Sequence, residues 1–289
     1  MANQINKFKV YVQLLDEVYK MASVTSVLDG APELARQGAN ANELIIPKID
    51  MDGLADYDAA AGYQQGDVKF TNETVKCNFD RGRKFLVDAV DNLDTAGMAF
   101  GQLSSQFIRT KVAPELDAFR IAKYCGVSGA DITTGTITTG EDAIKAIAAK
   151  YDAMTNKEVP TTDRYLFVTP TIAGLVRDMD TTKSKELWNK FAQVIEVPST
   201  RFYTQIEQKK GTSSSNPEGG YAKGSSGKEL DFLIIHKPAV IQYEKHLVSK
   251  AIAPEDNKDA DAWQFNFRNV AIADAYANKA AGIAGQYHE

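Results

Sequence analysis

Residues 66–88 read GDVKFTNETVKCNFDRGRKFLVD and alternate like a β-strand, yet most strands run only about five or six residues. Side chains two apart share a face, so Val75, Cys77 and Phe79 align with Phe85 and Val87. Arg81 and Arg83 fall between them on that same face, while Asn72, Thr74, Lys76, Asn78 and Asp80 take the other. Upstream, NELIIPKID (residues 42–50) reads as a return strand, and MDGLADYDAAAGYQQ (residues 51–65) reads as a loop tip. The pattern predicts a two-stranded ribbon with charge on both faces and little core of its own. Such an arm needs another surface to rest on.

Composition bounds the rest of the molecule. A chain of 289 residues, 44% hydrophobic and 25% charged, has the make-up of a globular protein and the length to bury a large core. No apolar run approaches the roughly 18 residues needed to span a bilayer, and the first twenty residues lack the apolar core of a signal peptide. Lys and Arg number 33 against 38 Asp and Glu, a formal charge of −5 that opposes gripping a phosphate backbone. The basic clusters are DRGRK (residues 80–84) and KK (residues 209–210); neither is interleaved with stacking aromatics, and both fit a salt-linked protein neighbour better. Cys77 and Cys125 lie far apart and read as small buried hydrophobes in a reducing compartment.

Along the chain, Ile5, Phe8, Val12, Leu15 and Tyr19 predict a short amphipathic helix over residues 4–22. Residues 30–41 read as extended. After the ribbon, residues 91–126 read as one long helix, with Asp94 as cap, Phe100, Leu103 and Phe107 as a stripe, and Gly126 as stop. Pro114 lies inside that helix and is expected to bend it. A Thr/Gly-rich link leads to a helix in EDAIKAIAAKYDAM, then RYLFVTPTIAGLVRD reads as strand, Pro-opened turn and helix. A short helix near Leu187 and Trp188 precedes a strand in VIEVPSTRF. Residues 209–229 read as a flexible loop by composition, and strands follow to the end.

Chemistry is sparse. His236, His246 and His288 sit in no metal-ligand pattern, and no G-x-S-x-G elbow supports a nucleophilic serine. GSSGKE (residues 224–229) mimics a phosphate loop, but Ala222 stands where the first glycine belongs and Glu229 replaces the hydroxyl residue. DMDGLADYD (residues 50–58) gathers acids like a calcium loop, with its glycine misplaced and no closing glutamate. No catalytic constellation, cofactor or metal site is expected.

Several stretches taken in order resemble the major capsid proteins of tailed bacteriophages, the Hong Kong 97-type fold. VAPELDAFRIAKYCG (residues 112–126) is similar to the end of that family's spine helix. RYLFVTPTIAGLVRD and VIEVPSTRF resemble its apical strand–helix unit and the strand after it. The segment from FLIIHKPAVIQYE through DAWQFNFRNVAIADAYANKAAGIAGQYH is similar to its closing strands.

The resemblance implies an α+β chain with an N-terminal arm (1–42), an extended β-hairpin loop (43–88), a spine helix in a peripheral domain (89–126) and an apical α/β domain (127–244). C-terminal strands (245–289) complete both domains. It further implies that the ribbon crosses a neighbouring subunit, with inter-subunit contacts expected from Tyr57, Tyr63, Lys76, Arg81, Arg83 and Lys84, and from Phe8 and Tyr11 in the arm. The implied partners are further copies, as pentamers and hexamers in an icosahedral virion shell around DNA that is enclosed without specific binding. A portal, a separate scaffolding protein (the arm begins too near Met1 for a built-in one) and a decoration protein complete the expected set. Lys69 and Asn278 are of the right type for the family's covalent cross-link, but no motif aligns them. Two rival readings are an encapsulin-type compartment holding cargo enzymes and a cytoplasmic α/β enzyme.

Overall fold

The computed structural model describes residues 23–30, 36–37, 43–57, 63–89, 106–212 and 218–288. The predicted arm helix, and the long helix before residue 106, lie outside them. Strands β1 (Arg36–Gln37), β2 (Glu43–Met51) and β3 (Val68–Lys76) form one antiparallel sheet, in which β2 and β3 pair over their full length. Strand β4 (Phe79–Asp88) leaves this sheet and joins another.

The stretch read as one long strand is therefore two. The break falls at Cys77–Asn78, where the Asn78 side chain does the work of backbone. Its Nδ2 donates to the Ala273 carbonyl at 2.7 Å, and its Oδ1 accepts from the Ala273 N–H at 3.1 Å. A side-chain amide thus satisfies the next pair of ladder groups while the backbone turns out of register.

A helical segment from residue 106 passes through a π-turn, Ile108–Val112, into α1 (Ala113–Cys125). The expected disturbance at Pro114 is absorbed in that turn: the Ala113 N–H reaches back five residues to the Ile108 carbonyl. Such widened turns are where helices take up an irregularity without breaking.

Strand β5 (Asp131–Thr134) lies in the Thr/Gly-rich link, where no strand was read. Helix α2 (Gly140–Asn156) opens on a capping box, with Thr139 and Asp142 each satisfying the other's backbone N–H. Strand β6 (Arg164–Val168) feeds α3 (Pro170–Asp178), the strand and helix the sequence predicts; the proline expected in a turn is instead the helix's first residue, and Thr169 caps it. Helix α4 (Thr182–Asn189) and strand β7 (Gln193–Glu196) follow. The loop read as flexible carries half of a small hairpin, β8 (Ile206–Gln208) with β9 (Tyr221–Lys223). Strands β10 (Glu229–His236), β11 (Val240–Ile252), β12 (Ala262–Ala275) and β13 (Ile283–His288) complete the chain.

These elements build two layers. A mixed five-stranded sheet, ordered β5-β13-β10-β6-β7, packs α2, α3 and α4 around Ile147, Leu166, Ile172, Val176 and Ile234. An antiparallel sheet, β11-β12-β4, packs against α1 through Phe79, Leu116, Phe119, Phe265 and Phe267. The C-terminal strand β13 returns to the first sheet while β12 belongs to the second, so the chain end ties both together. The observed class is α+β.

Candidate assembly surface

One face of α1 is polar yet buried. Asp117 is fully buried and accepts five hydrogen bonds: from the Ser23 and Thr25 hydroxyls at 2.7 Å each, the Val24 and Thr25 N–H groups, and Arg201 at 3.1 Å. A buried carboxylate is tolerable only when so fully paired. One turn on, Arg120 donates to Thr25 Oγ1 at 3.0 Å and to Glu244 at 3.0 Å. Tyr124 donates to Gln242, which in turn donates to the Thr25 carbonyl and to Asp29. Burial raises the Tyr124 phenol well above its ordinary value and keeps it a neutral donor. The network fixes residues 23–30 onto α1.

Two residues before Asp117, Glu115 takes the Arg81 Nε at 2.7 Å. The same guanidinium donates to the carbonyls of Lys209 and Gly220, closing the base of the β8–β9 loop. Arg83 lies against that loop as well: side chains at Gly211 or Gly219, both at φ +69°, would meet its guanidinium. Between them Gly82 passes so close to Phe267 that a Cβ would fall 2.7 Å from its carbonyl oxygen.

Strand β4, the π-turn and the β8–β9 hairpin enclose a cleft of about 930 Å³. Its floor includes Phe79, Phe85, Phe107 and Phe267; Phe107 stands edge-on to Phe85 at 4.8 Å and to Phe267 at 5.7 Å between centroids. Its rim carries Arg83, Lys111, Lys209 and Lys210 against Glu218.

The β2–β3 hairpin has the opposite character. Val75 at its base is buried with Ile241 and Ile272. Towards the tip Met51, Val68 and Phe70 are more than 60% exposed, and Leu54 and Tyr63 are essentially bare. The rings of Tyr57 and Tyr63 sit 5.0 Å apart, and Asp52 accepts from the Asp67 N–H at 2.9 Å, which shapes the tip.

The expected contact residues thus divide. Tyr57, Tyr63 and Lys76 are exposed on the hairpin. Lys84 is half-exposed and 3.5 Å from Asp259. Arg81 and Arg83 face a loop of their own chain rather than a bare ribbon. Phe8 and Tyr11 lie outside the described residues. What the sequence reading missed is the Asp117–Arg120–Gln242 network; its signal was Asp117 and Arg120 at i and i+3 between the core positions Leu116, Phe119 and Ile121.

Among the described residues no group of three or more His, Cys, Asp and Glu is placed to hold a metal, and no helix is long and apolar enough to cross a membrane. His288 Nδ1 and Asp231 Oδ1 sit 2.8 Å apart, joining β13 to β10.

No family profile matches the chain, and no curated protein matches it in sequence. Solved structures do match. A chain from Mycobacterium phage Che8 superposes with a TM-score of 0.55 at 16% identity, over 86% of this chain and 85% of that one. A chain from the capsid of cyanophage P-SCSP1u gives 0.54 at 12% identity, over 88% and 85%. A virus-like particle from Pyrococcus furiosus gives 0.57 at 9% identity, over 98% and 99%. The match runs along most of each chain's length, and the fold is that of the tailed-phage capsid proteins, the Hong Kong 97 type.

Proposed function

We propose that this chain is the major capsid protein of a tailed bacteriophage, a structural protein that self-assembles through pentamers and hexamers into an icosahedral shell around double-stranded DNA. The observation that carries the reading is the β2–β3 hairpin, which exposes Leu54, Tyr57, Tyr63 and Phe70 away from its own core. Exposed apolar surface on a projecting element marks an interaction site, and the fold's relatives include capsid chains. The hairpin crosses a neighbouring subunit, and the arm departs from its root at Ser23 towards another.

The shell holds its DNA without gripping it, consistent with the net charge of −5. Portal, scaffolding and decoration proteins are the remaining partners, and assembly takes place in the cytoplasm of the bacterial host before the chain resides in the virion. Electron microscopy of particles purified from expressing cells, with their contents extracted and typed, tests this. Closed shells that package DNA when the other head proteins are supplied are expected. Shells filled with a cargo enzyme would instead establish a protein compartment, the reading kept in view by the Pyrococcus furiosus particle. A monomer at all concentrations would overturn both.

A further inference from the structure

We infer that the hairpin tip of one copy seats in the cleft between β4, the π-turn and the β8–β9 hairpin of a second copy. The inference rests on the capsid reading and deepens it by naming the surface that the hairpin meets.

Three observations converge. The cleft, at about 930 Å³, is at the upper end of the range of pockets that bury a drug-sized molecule, about 300–1,000 Å³, which is room for a few side chains. Its floor is aromatic and its rim basic, and the side chains of Lys111, Lys209 and Lys210 pair with no carboxylate among the described residues. The tip is the complement: Asp52, Asp56 and Asp67 flank Leu54, Tyr57 and Tyr63, and no Lys or Arg occurs from Asp50 to Val68.

The tip does not occupy the cleft of its own chain, because Leu54 and Tyr63 are bare there. A polyanion such as DNA would engage the basic rim but leave both the aromatic floor and the exposed tip uncovered. An acidic tip with apolar side chains satisfies all of them together. Complementary charge sets register and speeds encounter, while buried aromatics supply most of the hold. Arg81 and Arg83 act one step back: by holding the β8–β9 loop they shape the rim on which Lys209 and Lys210 stand.

Assembled wild-type particles made from mixed light and ¹⁵N-labelled chains, joined by a zero-length carbodiimide reagent, supply the direct test. Mass spectrometry should find Asp52 or Asp56 joined to Lys111, Lys209 or Lys210 in peptides of mixed isotope. In parallel, the tip variant Asp56→Lys/Asp67→Lys and the cleft variant Lys111→Glu/Lys210→Glu should each lower assembly yield by about tenfold, and combining all four changes should recover most of it. Links confined to single chains, normal yield from either variant, or no recovery in the combination would overturn the docking and leave the capsid reading standing. Duplex DNA shielding those lysines in the filled shell would also overturn it. Small rings carrying the mixed-isotope links but never closing would uphold the docking and overturn the capsid reading.

Discussion

Asp117 shows how one side chain can organise distant parts of the chain. Its five bonds come from residues 84 to 94 positions away, so no periodicity in the sequence encodes them; only the charges of Glu115, Asp117 and Arg120 among apolar neighbours hint that partners exist. Breaking a buried charged network from one side costs about 3–5 kcal/mol, because the remaining charge and donors are stranded. Asp117→Ala should lower the unassembled subunit's stability by that amount in urea, whereas Arg268→Ala, which breaks an exposed pair with Asp80, should change it by under about 1 kcal/mol.

His236 offers a second test at this scale. Burial, then the nearby Arg164 guanidinium, holds its imidazole below the ordinary 6.5, with Asp163 pulling weakly the other way. The unfolded chain therefore takes up this proton before the folded one. The contribution is whole above pH 6.5 and is lost as pH falls through the lowered value. Urea midpoints of the subunit should fall between pH 7.5 and pH 5, and His236→Gln should flatten that slope. Asp231 does not supply the same slope: burial raises its carboxyl, so its contribution weakens as pH rises out of the carboxylate range.

At the scale of elements, the legible features were those with local causes. The strand–proline–helix unit at residues 164–178 and the helix α2 follow from neighbours in sequence and stand as read; the Thr139–Asp142 capping box that opens α2 is equally local but was not read. The alternation of β4 was legible as well: Phe79, Arg81, Phe85 and Val87 do share the inward face. What hid the break at Asn78 is that its partner, Ala273, lies 195 residues on. The π-turn was hidden for a different reason, since proline announces a disturbance but not how it is absorbed. Pro114 is the second residue of α1, immediately beyond that turn. A proline in a regular helix interior costs about 3 kcal/mol; here the shifted bonding has removed most of that cost. Pro114→Ala should change subunit stability by less than about 1 kcal/mol in urea, and a gain near the full 3 kcal/mol would contradict the placement.

For the whole molecule, the body and the hairpin obey different rules. The two layers bury their aromatic and aliphatic side chains in a self-sufficient core. Among the described residues the hairpin touches the body at its base, where Val75 is buried with Ile241 and Ile272, and it carries Met51, Leu54, Tyr57, Tyr63 and Phe70 into solvent. Surface of that kind contributes little to the subunit alone, and in the proposed shell its energetic value lies in contact with another copy. The ribbon's lack of a core in the sequence raised the expectation of a partner surface. It could not show which surface, because the cleft is assembled from β4, the π-turn and two short strands far apart in the chain. Replacing residues 52–66 by a two-residue Asn-Gly turn between β2 and β3 separates the two roles most directly. Thermal melting of the unassembled subunit and electron microscopy of the assembly reaction should be run side by side. The account predicts a melting temperature within a few degrees of wild type, as expected when a change costs less than about 1 kcal/mol, together with loss of closed shells. Shells of normal yield and diameter from the shortened chain would contradict it.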